Sequence, residues 1–122
     1  MKLNRRATAA ELRISDELYD DLLHDFLGNA EAALEPLAAN TRENHPDEIS
    51  GFAHMLKGSA ATLKLNVIRQ AAQELEAAAR ADPGGSAARE IIAELEADLE
   101  ELRGLLSTED IAHGHENDPD CG

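Results

Sequence analysis

The sequence predicts an all-α protein, an antiparallel up-down-up-down four-helix bundle with a short helix at its N-terminus. Its composition favours helix, because alanine, leucine and glutamate dominate and β-branched runs are scarce. Aromatic residues make up only 2% of the chain and tryptophan is absent, so leucine, isoleucine and alanine must fill the interior. Four long segments repeat apolar residues at helical spacing. The length of 122 residues suits one domain.

The first elements are defined by capping signals. Thr8 and Glu11 have the spacing of a capping box, which predicts a short helix over Ala9 to Arg13. Ser15 is placed to cap the first long helix, because acidic residues follow it where the helix dipole favours negative charge. The predicted apolar face of that helix consists of Leu18, Leu22, Phe26, Ala30, Ala33, Leu34 and Leu37.

A loop from Asn40 to His45 separates the first and second long helices. Pro46 suits the first position of the second helix, which is expected to run to about Leu65. Asn66 is expected to cap the third long helix. The predicted apolar face of this third helix consists of Val67, Ile68, Ala71, Leu75 and Ala79.

The run Asp82-Pro83-Gly84-Gly85 predicts a turn, and Ser86 is expected to cap the last helix. Beyond Ser107 the apolar period stops and acidic residues dominate. We therefore expect residues 1–107 to form the bundle and residues 108–122 to form a disordered acidic tail. The predicted apolar face of the last helix consists of Ile91, Ile92, Leu95, Leu99, Leu102, Leu105 and Leu106.

The charge of the chain excludes several kinds of partner. Its 25 acidic and 11 basic residues give a net charge of −14. Such a surface repels phosphate backbones and anionic headgroups, so we expect neither a nucleic acid nor a membrane as partner. Cys121 is the only cysteine, which fits a reducing compartment, and no segment has the pattern of a secretory signal or a membrane span. These features predict a cytoplasmic monomer.

The strongest functional signal lies in the second long helix. His54 and Lys57, three residues apart, share one face of that helix. Gly51 lies one turn before the histidine and Gly58 one turn after it. Because glycine inside a helix costs about 1 kcal/mol relative to alanine, two glycines around one imidazole indicate that something approaches it closely.

The helical period places His54 on the outer face. The predicted apolar stripe consists of Ile49, Phe52, Ala53, Leu56, Ala60 and Leu63, and His54 lies about 160° from its middle. Small residues surround the histidine there, among them Ala61. This is the arrangement expected of a histidine that accepts a phosphoryl group from a docked partner. The plain alternative is a surface histidine with no function.

A polar stripe on the third long helix can border the imidazole if the two helices pack side by side. Arg69, Gln73, Glu76 and Arg80 form this stripe. The alternative is a solvated face held by charge pairs such as Glu76 with Arg80. Ser59 also has a structural alternative, because a hydroxyl in mid-helix often bonds back to its own backbone.

Other kinds of site are not indicated. His113 and His115 lie near acidic residues and Cys121, but their spacing matches no closed tetrahedral motif, so we expect no metal site. The chain has neither a glycine-rich phosphate loop nor room for a nucleotide-binding domain. If His54 handles phosphate, it must receive it ready-made, which predicts a phosphocarrier with no kinase activity and no cofactor of its own.

The run Ala53-His54-Met55-Leu56-Lys57-Gly58-Ser59-Ala60 resembles the signature of histidine-containing phosphotransfer (HPt) domains. The resemblance extends over about residues 12–106 and includes the runs Leu22 to Phe26 and Gln73 to Glu76. Two positions depart from the family pattern. Many members have a glycine where this chain has Lys64, and some have a glutamine at the position that we align with Glu76.

The resemblance implies that His54 is the phosphoacceptor and that Lys57 stabilises the phosphoryl charge. It implies as partners a sensor or hybrid histidine kinase and response-regulator receiver domains, which bring their own Mg²⁺. Gly51, Gly58, Ser59, Ala61, Gln73 and Arg80 are then expected to form the rim of the site or to dock the receiver. Two alternatives involve no phosphate: an acidic interaction module, and a degenerate HPt domain that only binds receivers.

Overall fold

The computed structural model describes residues 3–39, 46–82 and 85–117, with side chains for 3–38, 47–82 and 85–106. The described residues form five α-helices and no strand, which confirms the predicted all-α class. No described helix is long and apolar enough to cross a membrane. The helices are α1 (Arg5–Leu12), α2 (Asp16–Ala39), α3 (Pro46–Thr62), α4 (Asn66–Ala81) and α5 (Ser86–Asn117).

The four long helices form a bundle around one apolar core. Helix α2 packs against α3 and α5, α4 also packs against α3 and α5, and α1 packs against α2. Each long helix thus contacts two of the others. The core consists of leucine, isoleucine and alanine side chains, supplemented by Tyr19, Phe26 and Phe52. A fully buried side chain of leucine size contributes roughly 1.5–3 kcal/mol, so this core can stabilise the bundle without tryptophan.

Helix α1 begins earlier than the capping box predicts. Its N-cap is Asn4, whose Oδ1 accepts from the backbone N–H of Ala7 at 3.0 Å. The Thr8 hydroxyl instead donates to the Asn4 carbonyl at 2.8 Å. The predicted start at Ala9 is therefore wrong, because asparagine caps a helix at least as well as threonine does.

Helix α2 has the predicted cap but a different inner face in its first two turns. The backbone N–H of Leu18 donates to Ser15 Oγ at 3.0 Å, which confirms the cap. Leu18 and Leu22 are 45% and 37% exposed, whereas Tyr19 and Leu23 are fully buried, so the prediction for both leucines is wrong. The buried Tyr19 hydroxyl donates to the Leu63 carbonyl at 2.6 Å, which turns this side of α2 inward.

Two more predicted core residues and one predicted helix end are corrected. Val67 and Leu105 are 49% and 39% exposed, since each lies beside the buried stripe of its helix. Helix α5 continues to Asn117, although the sequence predicts disorder from Thr108. No proline lies between Ser86 and Asn117, so nothing there removes a backbone donor. Residues 118–122 lie outside the described residues.

The connections fit the prediction in part. Pro46 begins α3 as expected, while the loop predicted for Asn40 to His45 lies outside the described residues. In the predicted turn, the Gly85 N–H donates to the Asp82 carbonyl at 2.9 Å, and residues 83–84 are not described. Ser86 is the first residue of α5 rather than its cap.

Helix α3 ends at Thr62, three residues before the predicted end at Leu65, and a tight turn then joins it to α4. Lys64 has a left-handed backbone, with φ of 63°. Its N–H donates to the Ala61 carbonyl at 3.1 Å, and the Leu65 N–H donates to the Ala60 carbonyl at 2.8 Å. These bonds form a Schellman motif. Asn66, the predicted cap, is instead the first residue of α4.

Replacing Lys64 with glycine should stabilise the protein, because a left-handed backbone costs a residue with a Cβ about 1–2 kcal/mol and costs glycine little. We expect a gain of about 0.5–1 kcal/mol in the free energy of unfolding, since glycine also loses more entropy on folding. Urea denaturation measures it. Lys64→Ala is the control, because alanine keeps the Cβ, and equal stability of both variants would contradict a strained turn.

Candidate functional site

The phase of α3 directs His54 to solvent. Its side chain is 73% exposed. The opposite face is buried, which confirms the predicted stripe of Ile49, Phe52, Ala53, Leu56, Ala60 and Leu63. The imidazole is therefore accessible to another molecule, while the helix that carries it is held firmly in the core.

A carboxylate on α4 faces the imidazole from the bundle side. Glu76 Oε2 lies 3.4 Å from His54 Nδ1. Glu76 is only 8% exposed, because α4 packs against α3 along this face. A carboxylate beside Nδ1 favours a proton on that nitrogen and leaves the lone pair of the neutral ring on Nε2. Nε2 is thus the nitrogen that can react.

Two cations hold Glu76. Lys57 Nζ donates to Oε1 at 2.9 Å, and Arg80 Nη2 donates to Oε2 at 3.2 Å. The hydrogen bond from Lys57 lowers the pKa of the Glu76 carboxyl, its charge and those of Arg80 and His54 add to this effect, and burial opposes it. The carboxyl therefore stays ionised at neutral pH. The Lys57 side chain, one-third exposed, binds the same carboxylate that faces the imidazole.

The glycines leave the surface around His54 open. A Cβ built at Gly51 or at Gly58 would meet nothing within 4 Å. Ala61, further along the same helix, is exposed. A partner can therefore approach the α3 backbone closely on both sides of the imidazole.

Ser59 lies on the other side of α3, away from Glu76. Its hydroxyl lies 4.0 Å from the Met55 sulfur. This contact differs from the structural alternative considered for Ser59, a hydrogen bond to its own backbone. Both residues line a groove of about 290 Å³ between α2 and α3. The other residues of this groove are Leu22, Phe26, Asn29, Ala30, Leu56, Thr62 and Leu63.

The structure thus brings together His54, Lys57 and Arg80 around Glu76. Gln73 is exposed on α4, and the contacts of the described residues do not connect it to His54. The sequence predicts that Glu76 lies on the polar stripe of its helix but does not identify it as a site residue. Its burial was the missing information, and it depends on how α3 and α4 pack.

The described residues give no indication of a metal centre. Within the described parts of the chain, no three His, Cys, Asp or Glu side chains are grouped to hold an ion. The side chains of His113, His115 and Cys121 lie outside the described set.

Comparison with known proteins identifies the family. The Hpt domain model matches residues 21–105, which is more than half of the chain. The chain therefore belongs to the Hpt domain family, as the signature around His54 indicates. Domains of this family generally interact with receiver domains and histidine kinases. Searches of curated proteins and of solved structures find no significant match.

The position of Glu76 predicts the tautomer of His54. When the His54 ring is neutral, its proton should lie mainly on Nδ1, whereas an unrestrained imidazole prefers a proton on Nε2. Nitrogen-15 NMR of the imidazole distinguishes the two forms. Glu76→Ala should move the population toward the Nε2–H form, and the control Glu74→Ala, on the same helix, should not. An Nε2–H tautomer in the wild type would contradict the geometry.

Proposed function

We propose that this protein is a phosphocarrier of a multistep phosphorelay. His54 accepts a phosphoryl group from the aspartate of one receiver domain and passes it to another. The observation that carries the proposal is the exposed imidazole whose Nδ1 faces the buried carboxylate of Glu76. Within the proposed domain, α2 to α5 alternate in direction, and the protein is a monomer in the cytoplasm.

The transfer step uses the Nε2 lone pair of His54. It forms a bond to the phosphorus of the aspartyl phosphate, while the oxygen–phosphorus bond breaks and its electron pair stays on the aspartate. The proton stays on Nδ1, because the carboxylate of Glu76 lies 3.4 Å from that nitrogen and favours its protonated form. Mg²⁺ bound to the receiver neutralises charge on the transferred group. We propose that the phosphoryl group reaches His54 ready-made and that the protein has no kinase activity and no cofactor of its own, since the sequence contains no glycine-rich phosphate loop.

Lys57 and Arg80 supply positive charge to the phosphoryl group. Both are bound to Glu76, and their side chains are 34% and 72% exposed. A charge-assisted hydrogen bond from either cation to a phosphoryl oxygen is stronger than one between neutral groups. Since Lys57 is on the same helix face as His54, it is the first candidate to contact the transferred group.

The exposed apolar residues beside the site form the docking face for the receiver. Leu18, Leu22 and Met55 are each more than one-third exposed, and the last two line the groove between α2 and α3. Exposed apolar side chains close together mark interaction surfaces. His54 directly precedes Met55, so a partner seated on this face reaches the imidazole. Gly51, Gly58, Ser59 and Ala61 complete the rim, with Gln73 and Arg80 on α4.

A phosphorylated receiver with Mg²⁺ should label the protein at a single acid-labile, base-stable position, which is His54. Labelling by a panel of radiolabelled receivers measures it, and ATP alone should give none. His54→Gln should abolish labelling and change the free energy of unfolding by less than about 0.5 kcal/mol, because the side chain is exposed. Labelling that persisted in this variant would contradict the assignment.

Lys57 variants refine that experiment. Lys57→Ala should slow transfer without unfolding the bundle, whereas Lys57→Arg, which keeps the charge, should transfer faster than Lys57→Ala. If no receiver labels the wild type although receivers bind it tightly, the chain is a degenerate HPt domain or an interaction module instead.

The open space at Gly58 predicts a steric effect on docking. Gly58→Leu should slow transfer from the receiver by about tenfold or more, because the new side chain occupies the surface that the receiver approaches. Stopped-flow or rapid-quench transfer measures it. Gly28→Leu is the matched control, since Gly28 is also inside a helix with open space at its Cβ but lines the groove between α2 and α5. Equal transfer rates for Gly58→Leu and Gly28→Leu would show that Gly58 is not part of the docking surface.

A further inference from the structure

We propose that Glu76 controls how readily this protein gives up its phosphoryl group, by keeping a proton on Nδ1 of the phosphorylated His54 ring. This inference rests on the proposed function. Glu76 is then a positioning residue that acts through the imidazole. It acts in the loaded state of the site, in which His54 is phosphorylated, rather than in the empty, unphosphorylated state.

The lability of a phosphohistidine depends on the proton at the other ring nitrogen. When the Nε2–phosphorus bond breaks, its electron pair returns to the ring. A ring that carries a proton on Nδ1 leaves as neutral imidazole, whereas a ring without that proton leaves as an anion, which is far less favourable. The acceptor, an aspartate oxygen or water, forms the new bond to phosphorus. A proton held on Nδ1 therefore favours departure of the phosphoryl group.

The net charge of the groups around the ring changes sign on loading. In the empty site, Lys57 and Arg80 outnumber the single carboxylate of Glu76 by one positive charge. A phosphoryl group adds nearly two negative charges above its second pKa of about 6. The site then has one net negative charge, which favours a proton on the ring.

Glu76 is the group that makes this reversal possible. Its Oε2 lies 3.4 Å from Nδ1. The His54 side chain is 73% exposed, but Glu76 is only 8% exposed, so water reaches the carboxylate poorly and screens its charge less than that of a surface glutamate. With glutamine at this position, the two cations only balance the phosphoryl charge, and the protonated ring is no longer favoured.

The test loads His54 with phosphoramidate, a small phosphoryl donor, so that no receiver is needed. After the donor is removed, phosphorus-31 NMR follows hydrolysis of the phosphohistidine in wild type, Glu76→Gln and Glu74→Gln. Glutamine retains the size and an acceptor oxygen of glutamate. Glu74 is on the same helix but lines a different groove, with Val67 and Asp98, so its variant controls for lost charge.

We expect the phosphohistidine of Glu76→Gln to last roughly three- to tenfold longer than that of the wild type at about pH 8.5. At about pH 6, where the ring holds its proton without help, the difference should fall below about twofold. Glu74→Gln should match the wild type at both values. Onward transfer to a receiver should slow in Glu76→Gln by a factor similar to that of hydrolysis.

Two results would overturn the inference: equal lifetimes for Glu76→Gln and wild type at the higher pH, or a difference of the same size at both values. The second result would show that Glu76 acts without the ring proton. Failure of the proposed function is distinguishable from either. In that case phosphoramidate still phosphorylates His54 and the lifetime of the phosphohistidine is still measured, but no receiver exchanges a phosphoryl group with it.

Discussion

The contact between α3 and α4 is the constraint on which the site depends. The turn that joins these helices has a defined backbone conformation. Lys64 takes a left-handed backbone, and the N–H groups of Lys64 and Leu65 close a Schellman motif. The flanking Leu63 and Leu65 are buried, so the turn is fixed to the core. With the turn fixed, the two helices meet in one register, and that register places Glu76 beside His54.

The site combines an exposed reactive group with a buried supporting group. The imidazole is mostly exposed and accessible to a partner, whereas the Glu76 carboxylate behind it is nearly buried. A buried carboxylate is tolerated only where cations and hydrogen bonds compensate for lost hydration, and Lys57 and Arg80 provide both. The reactive residue and its support lie on different helices, so packing energy maintains their geometry.

The sequence predicts the helices and the outward position of His54 because both follow from a period of 3.6 residues, which needs no knowledge of neighbouring helices. The sequence predicts burial less well at positions where packing against a neighbouring helix determines which side chain is buried. Leu18 and Tyr19 are both apolar enough for the inner face of α2. Tyr19 occupies it and donates a hydrogen bond to the Leu63 carbonyl, a contact outside α2 that the period of this helix does not reveal. The burial of Glu76 likewise depends on the approach of α3. Asn4 and Thr8 are both good caps, and local sequence does not choose between them.

The buried tyrosine gives the protein a built-in optical reporter. Tyr19 is the only tyrosine and tryptophan is absent, so near-ultraviolet absorption and fluorescence come mainly from one phenol. Burial is the main cause that raises the pKa of that phenol. Its hydroxyl contacts the carbonyl of Leu63, at the turn between α3 and α4. Alkaline spectrophotometric titration therefore monitors one defined place in the bundle, the anchor of the helix pair that carries the site, with no label attached.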